Sequence, residues 1–359
     1  MKQLIYFELR KIFLKRLTQI AFIAVLVLSA VLSFSNYQNK YAFDGKSGAE
    51  GSGKIAVKID KEVAARYEGM LTDEKVRQMM SDFAPTQDLH GLNAVYLYQN
   101  SMQSAVFAKF SDENGHWNKK SVSDVFSDET IKIGYVDGWL STSQNMMTTF
   151  LALALAIIIM IAPVFSGEYD GVDNIILTSK YGRTKCAAAK IISSILAALF
   201  ATIVIVFFHL LFAFIFYGKA GLDCSILFAP VAYTAGFIPF NIACGTLLKY
   251  QILLAFTGAL SVTGVTLLFS AISRKQITAF ISSIAFFFFP ILLPIAETNP
   301  LFRLVGLLPT YHIQFFSLMS IEQMNNGILY AIWSVPAALI FDGIGIFISR
   351  RVFTKHQVI

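Results

Sequence analysis

The sequence predicts an α-helical integral membrane protein. It has six transmembrane helices, an N-terminal interfacial helix, and a mostly helical extracellular domain between spans 1 and 2. Three observations lead there. Of 359 residues, 55% are apolar and only 14% charged, against about 25% charged in an ordinary soluble domain. The charges are also segregated: residues 36–143 hold 12 of the 29 Lys/Arg and 15 of the 23 Asp/Glu, whereas residues 144–359 hold 12 and 7. Finally, six apolar segments reach the roughly 20 residues that a helix needs to cross about 30 Å of hydrocarbon. Three cysteines make no disulfide framework, and so apolar a chain is neither disordered nor a purely soluble enzyme.

Residues 1–16 place Leu4, Ile5, Leu9, Ile12 and Phe13 on one helical face, with Lys2, Arg10, Lys11 and Lys15 mostly elsewhere. A helix lying on the cytoplasmic membrane surface has this pattern. Residues 17–34 (LTQIAFIAVLVLSAVLSF) form TM1. The apolar run exceeds a signal-peptide core and no A-x-A site follows it, so it reads as an uncleaved anchor. The extracellular domain, 36–143, carries 12 − 15 = −3 net charges. It opens on a Gly/Ser-rich stretch, 44–54, read as a flexible linker. Helices are expected from Ile59 to Tyr67, from Thr72 as N-cap with Asp73 and Glu74 in the first turn, over Leu92–Lys109, and as a short turn at Asp124–Glu129. TM2 (146–165), a cytoplasmic loop (166–190) and TM3 (191–217) follow. After an outer segment, 218–250, come TM4 (251–272), TM5 (277–296), a second outer segment (297–326), TM6 (327–348) and a cytoplasmic tail (349–359).

The segment 218–250 is apolar enough to suggest a seventh span, but Pro230, Gly236, Pro239 and Gly245 interrupt it. Basic residues decide for six, because cytoplasmic flanks are enriched in Lys and Arg. Six spans put the N-terminus, Lys180–Lys190, Arg274-Lys275 and the tail with Arg350, Arg351 and Lys355 on one side. A seventh would put Arg274, Lys275 and the tail outside. The segment therefore reads as outer, re-entrant or lying in the interface.

No catalytic constellation and no metal site is predicted. The five histidines are scattered without H-x-x-x-H spacing. Gly48–Lys54 matches G-x-x-x-x-G-K, but Ile55 stands where a P-loop needs Ser or Thr and no apolar strand precedes it, so it is not a nucleotide site. His209 and Asp342 are the ionisable residues inside spans, where such groups either pair with a neighbouring helix or mark a pathway. Cys224 and Cys244 both fall in the outer segment, as a disulfide if it doubles back or as two free thiols.

The loop 166–190 (SGEYDGVDNIILTSKYGRTKCAAAK) carries the strongest signal. Glu168, Asp170 and Asp173 precede an apolar stretch, Ile175–Leu177, and Lys180, Arg183 and Lys185 follow it. Acids at the start and bases past the end suit a short helix dipole. Such a helix could dock in a partner's groove.

These residues, with the overall layout, resemble the permease subunits of the type-2 ABC-exporter family. The matching positions are Glu168, Gly171, Ile175–Leu177, Thr178, Gly182-Arg183 and Lys190. The stretch 61–83 around YEGMLTDEK is similar to Gram-positive-like members with a large extracellular domain between the first two spans. The resemblance covers the chain in layout and about eight positions in motif. It implies a coupling helix near Glu168–Thr178 seated on a separate cytoplasmic ABC ATPase, with Asp173, Arg183 and Lys190 in the coupling loop. It implies a second permease subunit, identical or paralogous, with spans two and five at the dimer interface. ATP and Mg²⁺ belong to the partner ATPase; the chain binds no cofactor, is no enzyme, and binds no nucleic acid. Localisation follows as a multi-pass protein of the bacterial plasma membrane with both termini cytoplasmic. The rival readings are a secondary transporter, which needs intramembrane ionisable groups and internal repeats, and a membrane sensor with an extracellular ligand-binding domain.

Overall fold

In hydrocarbon every backbone polar group must be satisfied within the segment, and helix does this for a chain of Leu, Ile, Phe and Ala runs. A computed structural model describes the chain except residues 46–47, 86–89, 128, 170–181, 232–239, 296–298, 313–329 and 356–359. Helix α1 (Lys2–Phe13) is followed by α2 (Arg16–Asn39). A mixed region comes next: β1 (Tyr41–Phe43), β2 (Glu50–Ser52), α3 (Lys54–Tyr67), β3 (Gly69–Met70), α4 (Asp73–Asp82), α5 (Ser101–Phe110), α6 (Val122–Phe126) and β4 (Lys132–Ile133). The rest is helical: α7 (Asp137–Ile161), α8 (Pro163–Ser166), α9 (Ala187–Tyr217), α10 (Cys244–Ile272), α11 (Gln276–Leu292), α12 (Phe302–Val305) and α13 (Tyr330–Lys355).

Five helices among the described residues are long and apolar enough to cross a membrane: Arg16–Asn39, Asp137–Ser166, Thr184–Tyr217, Cys244–Ile272 and Ile332–Lys355. The chain is thus an α-helical, multi-pass membrane protein. The fifth expected span coincides with α11, which is apolar but has 17 residues and ends just past Pro290. At 1.5 Å per residue it rises about 26 Å, short of the hydrocarbon thickness. The long helices also outrun their apolar windows. Helix α7 starts nine residues before 146, and α10 starts at Cys244, so 244–250 is already helical. Each added residue contributes one more helical bond, so polar ends extend a helix that hydropathy alone truncates.

The chain divides into two compact units, 1–29 with 146–208 and 251–359, and 30–145 with 209–250. In the first, α10 and α13 approach at backbone distance. A Cβ on Gly264 would lie 2.5 Å from Asp342 Cα, and one on Gly345 would lie 2.1 Å from the Gly264 carbonyl. Small residues permit such contacts between spans. In α2, Ile20, Ile23 and Val27 leave over half their surface uncovered, as a lipid-facing stripe does.

In the second unit, α3 buries Ala56, Val57, Ile59, Val63, Ala64 and Tyr67. An antiparallel hairpin, Tyr41 opposite Ser52, packs against it. The hairpin overturns the linker expectation for 44–54. Glu50–Ser52 is a strand, fixed by Tyr41 Oη donating to Glu50 at 2.6 Å, and Gly53, at φ +59°, turns the chain directly into α3. The strand thus lies inside the G-x-x-x-x-G-K motif rather than before it. Helix α3 starts five residues earlier than expected. Thr72 caps α4, its Oγ1 accepting from Lys75 N at 3.3 Å. The single helix expected over Leu92–Lys109 is instead a 3₁₀ turn, Ala94–Tyr96, and α5. Buried Asn100 causes the break: it caps α5 by accepting from Gln103 N at 2.8 Å and donates to the Phe43 carbonyl at 3.0 Å. The short turn is α6, started by a Ser121/Asp124 capping box.

The described part of 218–250 doubles back. Ser225 bridges Ala243 in antiparallel register, and Ser225 N donates to the Lys132 carbonyl at 2.8 Å. Cys244 N donates to the Cys224 carbonyl at 3.0 Å, yet both cysteines, like Cys186, are free thiols. Gly221 is required where it stands: φ is +81° and a Cβ would sit 1.7 Å from the Tyr135 carbonyl oxygen.

Candidate functional site

The loop 166–190 begins at a built junction. Helix α7 ends at Ile161 and Pro163 opens α8, since proline fits a first helical turn but not a helix interior. This turn is held from the neighbouring span. Ser270 Oγ donates to the Ala162 carbonyl at 2.6 Å and accepts from Phe165 N at 2.9 Å and Ser166 N at 3.2 Å. Tyr169 Oη donates to the Ala271 carbonyl at 2.8 Å. Phe165 and Tyr169 both pack on Phe353 of α13, with ring centroids 4.9 and 6.4 Å away.

Glu168 follows immediately and is buried. Its Oε1 accepts from Lys190 Nζ at 2.6 Å and also from Lys11 Nζ of α1. Lys190 has a fully buried side chain and spends all three protons, on Glu168, on Glu8 Oε2 at 3.2 Å and on the Val164 carbonyl at 3.1 Å. Two lysines and two glutamates balance to zero, which lets Glu8, Glu168 and Lys190 stay buried while Lys11 reaches in from a partly exposed position. Burial alone would depress the Lys11 pKa; the hydrogen bond and charge of Glu168 outweigh it and hold the ammonium above its usual value. Lys15 goes the other way, lowered by burial and by the charges of Lys11 and Lys190.

Glu168 and Lys190, the first and last of the predicted loop residues, are therefore brought together. Gly171, Asp173 and Thr178 lie outside the described residues, as does the side chain of Arg183, although Gly182–Cys186 forms one π-helical turn leading into α9. Of the intramembrane candidates, His209 is buried in the second unit. Asp342 belongs to the first, its Oδ1 buried without a hydrogen bond among the described residues where Gly264 packs against it.

Sequence reasoning missed Glu8, Lys11, Ser270 and Tyr169. Glu8 had a signal: it is the one acid in residues 1–16 and lies on the apolar face among Ile5, Leu9 and Ile12. An acid there needs a buried cation. The structure centres the buried side of α1 on Glu8 and Ile12, while Leu4 is exposed. Among the described residues no His, Cys, Asp and Glu cluster could hold a metal ion.

The arrangement ties one point of the loop to α1, α9, α10 and α13 through buried polar bonds and aromatic contacts. No known protein family, curated protein or solved structure matches the chain.

Proposed function

We propose that this chain is the membrane-spanning permease subunit of an ATP-binding-cassette exporter in a bacterial plasma membrane. A separate ATPase subunit docks on the loop 166–190 and hydrolyses ATP. The permease performs no chemistry itself and pairs with a second permease subunit. Six spans, with both termini on the ATPase side and the region 36–143 on the other, belong to this proposal.

The observation that supports it best is the Glu8–Lys11–Glu168–Lys190 cluster. A coupling device needs a lever held stiffly to the spans it moves, and Glu168 at the loop's start is held to α1 and α9. Charge-assisted bonds in a low-dielectric site are strong, and Glu168 Oε1 accepts two of them, from Lys190 and Lys11. The loop's charge order, acids before the apolar stretch and bases after it, supports a docked helix between those anchors.

The test is purification of the tagged chain from its native membrane in mild detergent. A stoichiometric soluble partner with a complete P-loop and ATPase activity is the expected result. Arg183→Glu or Gly171→Pro should then leave that partner's basal hydrolysis intact while abolishing its coupling to transport. Isolation of the chain alone, still mediating flux, makes it a secondary transporter instead.

A further inference from the structure

The second unit holds an open cleft of about 450 Å³, with Lys40 and Asp137 as its charged wall residues. That volume lies within the range of small-molecule sites. Lys40 is wedged between two carboxylates, Asp60 at 2.6 Å and Asp137 closer still. All three side chains are more than nine-tenths buried. Asp60 is further held from behind, its Oδ1 accepting from Ser101 N at 2.8 Å. The remaining nearby ammonium, Lys61, lies 5.6 Å over the Tyr135 ring and is not part of the cleft wall.

This arrangement selects by charge. One cation faces two carboxyl groups; burial raises the pKa of Asp60, which lies behind, so Asp137 is the carboxyl group that the cleft presents. The Lys40 ammonium is committed to both partners and has little to offer an anion. Asp137 gives Oδ2 to Lys40, whereas its Oδ1 holds no hydrogen bond among the described residues. The cleft wall also contains the tyrosines 41, 98 and 217. The Tyr41 hydroxyl is engaged by Glu50 and the Tyr217 ring is braced edge-on by Tyr37 at 6.1 Å. Tyrosine rings attract cations through their quadrupole, and a carboxylate oxygen accepts from ammonium or guanidinium in a charge-assisted bond.

We propose that this cleft binds a small organic cation, whose ammonium or guanidinium group docks on Asp137 Oδ1 with the tyrosine rings around it. The inference does not depend on the exporter reading.

The probe is agmatine, which carries both groups, titrated calorimetrically into the full chain in phosphatidylcholine nanodiscs after subtraction of empty discs. Saturable binding is expected, without competition from glutamate or glucose. Asp137→Asn should weaken it by about tenfold or more, the loss of one charge-assisted bond. Tyr98→Ala removes a ring of the cleft wall that is 39% exposed; it should weaken binding about fivefold. If Asp137→Asn does not fold, Tyr98→Ala decides alone. Absence of saturable agmatine binding, preferential binding of glutamate or glucose, or binding unchanged in the folded variants overturns the assignment.

Discussion

Lys190 has no unused proton and no exposed surface. Replacing it by Met strands the buried Glu8 and takes from Glu168 its buried partner, leaving it to the partly exposed Lys11. Breaking a buried ion pair from one side costs about 3–5 kcal/mol, so Lys190→Met should unfold at markedly lower temperature in detergent. Adding Glu8→Gln and Glu168→Gln to that variant should recover much of the loss, because the stranded charges are then gone. Recovery in the triple variant, read by thermal unfolding, separates charge burial from simple loss of packing. The Lys40–Asp60–Asp137 triad makes a pH prediction. Burial opposes charge on Lys40, but Asp137 and Asp60 outweigh it and raise its pKa above the ordinary value. The raised folded value lies above the unfolded one of about 10.4. Its contribution is therefore complete below about pH 10.4 and is lost as pH climbs through the folded value. Lys40→Arg, which does not titrate there, should show a shallower fall in melting temperature above pH 10.4 than the parent chain.

At the scale of elements, two contacts have defined costs. Gly264 faces Asp342 with no room for a Cβ, so Gly264→Val should push α10 and α13 apart and destabilise by about 1–3 kcal/mol, as overpacking does. Thr72→Ala removes the α4 cap and should cost about 1 kcal/mol. Denaturant titration of the full chain checks both. The long helices were legible because a run of some twenty apolar residues has few other folds open to it. Their ends were not: Asp137–Gln144 and Cys244–Tyr250 are helical through polar and packing contacts that hydropathy does not register. Thr72 and Ser121 were readable or nearly so, since caps are local chemistry. The 44–54 hairpin was not, because its Gly-rich strand is held by Tyr41 and by packing on α3 rather than by strand propensity. In the candidate site, Glu168 was legible as an acid at the loop's start, and Lys190 as a position of the family resemblance. Their partners lie far off in sequence, 182 residues for Glu8 and 157 for Lys11, and sequence spacing carries no such pairing.

At the scale of the whole molecule, the described residues hold five helices long and apolar enough to cross a membrane, with a polar region after the first of them. The exporter proposal then turns on whether the loop 166–190 is where an ATPase attaches and whether the buried cluster behind it transmits the stroke. A photo-crosslinking amino acid placed at Asp173, in cells, tests this most directly. Coupling through this loop predicts a single dominant crosslink to a soluble protein bearing a complete P-loop. It also predicts that Glu168→Gln keeps the crosslink but loses transport. A crosslink to no such protein, or transport that survives Glu168→Gln unchanged, would contradict it.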